Sequence, residues 1–294
     1  MEPQAKQISK RGWLFEFDRT NSKFDVLTCV YVIIGNRKAF VVDTHCGPDS
    51  MDCVLKFLGE NCPDHEVIVI NSHYDWDHVW GNCAFESKLI IAHEKCYEKL
   101  SSDFIWDNMI QNSGSFQCGS VKKVLPNMVF SNVLHFPGEG VKLITTPGHT
   151  DCSISVWDQN DKVLFVGDNL EDPLPCLQWW ELDKYLQTLD LYKSMEFDVL
   201  LASHNSVIKE ELIQSNADYI SKVANKIPLK FDNPSSQYMH DFNCRLSMAS
   251  FYEEQGKRSK DFLLEKFWQL FEDNLESPFH DFERVMKNYT DEIK

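Results

Sequence analysis

Short apolar runs that end abruptly in Asp or His set the rhythm of the first two hundred residues. WLFEFD (13–18) and the longer run VLTCVYVIIG (26–35) are β-branched and aromatic, and AFVVDTH (39–45) resumes after Asn36, Arg37 and Lys38. Such runs predict buried strands, and Gly35-Asn36 between them predicts a hairpin. EVIVINS (66–72) and KLIIAH (88–93) are further strands, as are VKLITTPGH (141–149), CSISVWD (152–158), KVLFVGD (162–168) and FDVLLASH (197–204). Between them the period changes. Residues 48–60 predict a helix capped by Asp49 or Ser50, and residues 94–110 and 182–195 predict two more. Strands alternating with helices, with some hairpin-length links, predict layered mixed sheets covered by helices.

After His204 the pattern turns helical. A helix is expected over 207–226, then a proline-bearing linker, IPLKFDNPSS (227–236), then further helices with Gly256 separating two of them. Leu263, Phe267, Leu270 and Phe271 fall at i, i+4, i+7 and i+8, a stripe that needs a partner to cover it. The expected division is a domain over 1–228 and a helical extension over 229–294.

Composition narrows the chemistry. The 294 residues carry 29 Lys and Arg against 45 Asp and Glu, a net charge of −16. That argues against nucleic acid as a partner, since phosphate binding needs clustered basic residues. Ten cysteines without a CxxC pair predict reduced thiols. With no apolar run long enough to span a membrane, the expectation is a cytoplasmic protein acting on a small molecule.

The densest chemistry is SHYDWDHVWGN (72–82), which places His73, Asp75, Asp77 and His78 directly after a buried strand. Asp43, His149, Asp168 and His204 each close another apolar run. Side chains delivered from strand ends converge at one edge of a sheet and are held rigidly. The ordered set, in an HxDxDH variant of HxHxDH, resembles the five motifs of the metallo-β-lactamase superfamily over about residues 13–228. The resemblance implies an α/β (α+β) fold: a four-layer αβ/βα sandwich of two mixed β-sheets, with the helical extension added. It also implies two divalent metal ions per chain. His73, Asp75 and His149 would hold the first, and Asp77, His78 and His204 the second, with Asp168 between them. Asp43 would orient ligands, and Asp77 would also aim a metal-bridging hydroxide.

The expected enzyme is a metal-dependent hydrolase of a small ester-like substrate: a thioester, lactone, carboxylic ester or phosphoester. Asp75 departs from the usual His. It is shorter, anionic and harder, so Fe or Mn competes with the Zn expected first. It also leaves open a di-iron oxidoreductase similar to the flavodiiron proteins, and a non-enzymatic metal-binding partner protein is a third reading. His45 divides evenly between a supporting role and a surface loop, and His93 is as readily structural as near the site. Cys46, Cys83 and Cys152 read as core thiols. Trp76, Trp80, Trp106, Trp179 and Trp180 could form an apolar pocket wall, though each singly reads better as packing for connecting helices, and the long segment 103–138 reads as a lid or binding loop. The extension is expected to wall that pocket or to pair two subunits as a homodimer.

Overall fold

The structure is a computed structural model and describes residues 3–273 and residue 291. Thirteen strands form two sheets among the described residues. The first contains β1 (Lys6–Gln7), β2 (Gly12–Phe17), β3 (Thr28–Ile34), β4 (Lys38–Val42), β5 (Glu66–Ile70), β6 (Leu89–His93) and β7 (Met128–Phe130), side by side in chain order. The second contains β8 (Val133–Phe136), β9 (Val141–Thr145), β10 (Ile154–Asp158), β11 (Val163–Phe165), β12 (Val199–Ala202) and β13 (Ser206–Ile208), in the order β13-β12-β11-β10-β9-β8. Both sheets are mixed: β4–β5–β6–β7 and β11–β12 pair in parallel, and the other neighbours are antiparallel.

Strand alternation explains the layering. In β3, Tyr31 and Ile33 face the opposite sheet while Val30 and Val32 face outward. In β4, Phe40 and Val42 face inward while Ala39 and Val41 face out. The second sheet repeats this, with Val163, Phe165 and Leu201 inward and Leu164, Leu200 and Ala202 outward. Strands buried on both faces read as continuous apolar runs, as these do. Helices cover the outer faces. On the first sheet lies α1 (Pro48–Asn61), which buries Met51, Val54 and Leu58. Two short helices follow β5 and β6, α2 (Trp76–Val79) and α3 (Glu94–Ser101), and α4 (Asp103–Ser113) comes next. On the second sheet lie α5 (Leu182–Ser194) and α6 (Glu211–Ala224). The four layers are the sandwich expected from the sequence.

Local departures have local causes. The helix expected over 94–110 breaks at Ser102, whose backbone is extended and whose Oγ accepts the Ile105 N–H, restarting the chain as α4. The helix expected over 207–226 begins only at Glu211, because Ser206–Ile208 adds an edge strand to β12. The proline segment ends at Asn233, which caps α7 (Pro234–Lys257) with Pro234 in its first turn. Gly256 falls inside α7, and a Cβ there would stand 2.2 Å from the ring of Phe262. Phe267 of α8 (Leu264–Asp273) is fully buried against Met248, Tyr252 and Phe262, while Leu263 precedes the helix with 57% of its surface exposed. Phe271 belongs to α8. His280 and most of the extension beyond Asp273 lie outside the described residues. No helix among the described residues is long and apolar enough to cross a membrane.

Candidate metal centre

The strand directions determine where polar groups gather. The C-terminal ends of β4, β5, β9, β11 and β12 deliver Asp43, the 72–78 segment, His149, Asp168 and His204 to one edge of the sandwich. All eight expected residues meet there. Three groups of potential donors have their atoms within 4.8 Å of one another: His73, Asp75 and His149; His73, His78 and Asp168; Asp77, His78 and His204.

One oxygen links them. Asp168 Oδ2 lies 3.6 Å from His73 Nε2, 3.3 Å from His78 Nε2, 3.8 Å from His149 Nε2 and 3.0 Å from His204 Nε2. Asp75 Oδ2 stands 3.3 Å from both His73 Nε2 and His149 Nε2. Asp77 Oδ2 stands 3.4 Å from His78 Nε2 and 3.6 Å from His204 Nε2. Donors bound to one ion at about 2.0–2.2 Å are roughly 3 to 3.5 Å apart, so these separations suit shared ligation.

The imidazoles are aimed from behind. His78 Nδ1 donates to Asp43 Oδ2 at 2.9 Å, and His73 Nδ1 donates to Ser72 Oγ at 3.0 Å. Ser72 donates in turn to Asp43, through its N–H and its hydroxyl, each at 2.7 Å. His149 Nδ1 donates to the Cys176 carbonyl at 3.0 Å, and His204 Nδ1 to the Leu27 carbonyl at 2.7 Å. With every Nδ1 committed outward, each ring turns its Nε2, the atom a metal ion would engage, inward. Asp43 holds φ +63°, a left-handed conformation that Asp adopts more readily than most residues.

The centre calls for positive charge. Burial opposes an imidazolium at His204, but Asp168 and Asp77 outweigh it and its pKa is pushed up to about 10. His78 is raised against the same burial by Asp168, Asp77 and Asp43, and His149 by Asp75. Burial likewise opposes charge on the acids. Even so, His73 holds Asp75 below the usual carboxylate range, and His204 and His78 do the same for Asp168. His73 Nε2, His78 Nε2 and Asp168 Oδ1 are buried without hydrogen-bond partners among the described residues. Buried imidazole nitrogens and carboxylate oxygens pointing at one another fit bound metal better than they fit a dry polar core.

Other candidates fall elsewhere. His45 is buried, with its ring stacked 4.2 Å from Phe17 and Nδ1 2.8 Å from Ser50 Oγ; burial lowers its pKa to about 3. His93 caps α3 by accepting the Lys95 N–H, and its Nε2 donates to the Ser131 carbonyl. Cys46 and Cys152 are fully buried, and Cys83 is half-buried. Trp80 is buried, but Trp76 is half-buried and meets Phe116 at 5.5 Å and Phe24 at 4.8 Å, beside the HxDxDH segment. The 103–138 segment thus meets the HxDxDH segment through Phe116. Sequence reasoning missed Asn169, which holds the His149 N–H at 2.9 Å and follows Asp168 directly. It also missed Gln178, whose Nε2 donates to Asp75 Oδ2 at 2.6 Å. Nothing local to Gln178 announces that contact.

Comparison with known proteins agrees with this fold. The family model for the metallo-β-lactamase superfamily matches residues 25–204. A metallo-β-lactamase from Pontibacter korlensis superposes with a TM-score of 0.57 at 16% identity, covering 74% of this chain and 99% of that one. One from Hirschia baltica gives 0.57 at 13% identity, covering 75% and 98%. The DIM-1 metallo-β-lactamase gives 0.59 at 15% identity, covering 76% and 98%.

Proposed function

The chain belongs to the metallo-β-lactamase superfamily, and from that premise we propose that it is a dinuclear-metal hydrolase of a small ester-like substrate. One observation carries the reading: a single oxygen, Asp168 Oδ2, stands within 3.0 to 3.8 Å of four imidazole nitrogens that divide into two groups. His73, Asp75 and His149 would hold one ion, Asp77, His78 and His204 the other, with Asp168 shared. When bound, two divalent ions make water a nucleophile near neutral pH and polarise the oxygen of an ester, thioester, lactone or phosphoester.

The protein's own contribution is orientation. Asp43 fixes His78 directly and His73 through Ser72, so that two donors keep one tautomer and one direction. Asp77 offers carboxylate oxygens beside His78 and His204, where one can accept a hydrogen from the attacking water and aim it. Phe24, Trp76 and Phe116 form an aromatic wall that shields the substrate from water and favours an apolar acyl or leaving group. Residues 1–228 would be the catalytic unit, within which the family match falls, and the extension from 229 would brace it.

Protein purified without added metal, analysed for its elements and assayed on an ester and phosphoester panel, tests the proposal. Turnover that a chelator abolishes and the native metal restores is expected. Metal-loaded protein with no hydrolysis but an iron-dependent visible band would favour the oxidoreductase instead.

A further inference from the structure

We infer that Gln178 is a fourth protein donor to the first ion, its side-chain amide oxygen joining His73, Asp75 and His149; this rests on the dinuclear reading. The amide nitrogen stands 2.6 Å from Asp75 Oδ2 and 3.2 Å from His149 Nε2. Those two atoms belong, with His73 Nε2, to the first donor group. The end of the Gln178 side chain therefore occupies a corner of the same polyhedron, since ligands of one ion stand roughly 3 to 3.5 Å apart. As it stands, the NH2 group donates to Asp75 Oδ2, an oxygen that a cation would otherwise engage. A half-turn about Cγ–Cδ places Oε1 in the same corner without moving the backbone. A cation between Asp75 and His149 drives that turn, because it repels the amide hydrogens and attracts the carbonyl oxygen.

The loop is built to hold this side chain in place. The Cys176 carbonyl accepts from His149 Nδ1 at 3.0 Å, and the Cys176 N–H donates to Glu171 Oε1 at 3.0 Å. On α7, Asn243 accepts the Leu177 N–H at 2.9 Å and donates to the Pro175 carbonyl at 2.7 Å. Gln178 is thereby fixed between Leu177 and Trp179, both buried. The two departures at this site complement each other. Asp75 replaces a nitrogen donor with oxygen, and the amide adds a second oxygen. Together they shift the first position toward ions that accept more and harder ligands, Mn2+ or Fe2+ over Zn2+.

Titration of the metal-free full-length protein with Mn2+ and with Zn2+ tests this, using Gln178→Ala, Gln178→Glu and, as control, His149→Ala. Gln178→Ala should weaken the first Mn2+ by at least about tenfold, the scale seen when a ligand's support is removed. The second ion should be unaffected and Zn2+ weakened less. Gln178→Glu, which keeps size and an oxygen donor, should bind the first Mn2+ at least as tightly as wild type. Unchanged Mn2+ affinity in Gln178→Ala, with the first ion lost in His149→Ala, would overturn the inference and leave the dinuclear reading intact. Both ions retained in His149→Ala would overturn the two together.

Discussion

Asp75 stands where the HxHxDH motif expected from the sequence has His, and its side chain faces the centre: Asp75 Oδ2 lies 3.3 Å from two imidazoles. Asp75→His removes an anionic oxygen and adds a softer nitrogen, so metal uptake should move toward Zn relative to Mn and Fe. Elemental analysis after loading from an equimolar mixture reads the shift, and an unchanged ratio would deny Asp75 a role in selection. Asp43 acts from one layer behind. Asp43→Ala strips the acceptor from His78 Nδ1 and from both Ser72 donors, and the expected loss in metal affinity is about 10–100-fold. Chelator competition measures it. The motif residues were legible because each closes an apolar run and the spacing matches a known pattern. Gln178 was not, because its role comes from a contact with Asp75 across 103 positions of sequence.

At the scale of elements, the strands were legible wherever both faces are buried, as in Val30–Ile33 and Val163–Phe165. Ser206–Ile208 was not, since three half-exposed edge residues carry no period, and neither was the break at Ser102, where one capping hydroxyl outweighs a continuous helical pattern. The coupling of α7 to the loop over 171–181 was equally invisible. Asn243 is fully buried and satisfies Leu177 N–H and the Pro175 carbonyl at once. Asn243→Leu leaves both without that partner, so the loss in unfolding free energy should be about 1–3 kcal/mol for each group left unpaired. Denaturant unfolding reads the stability. A loss of metal content at the first position, with the second retained, separates the loop's role from general destabilisation.

Over the whole molecule, the sandwich presents five strand ends at one edge, and the helical extension grips the loop that reaches the same edge from the other side. The ring of Phe251 on α7 meets Trp180 at 5.1 Å, two positions beyond Gln178. This contact places α7 against the loop that carries Gln178. The most direct test of the account is anomalous diffraction from crystals of the metal-loaded protein, recorded at the absorption edge of the bound metal. Two peaks are expected on either side of Asp168, about 3.5–4 Å apart. One should touch His73, Asp75 and His149, and the other Asp77, His78 and His204. A single peak, or peaks that do not share Asp168, would contradict an Asp168-bridged dinuclear centre in this protein.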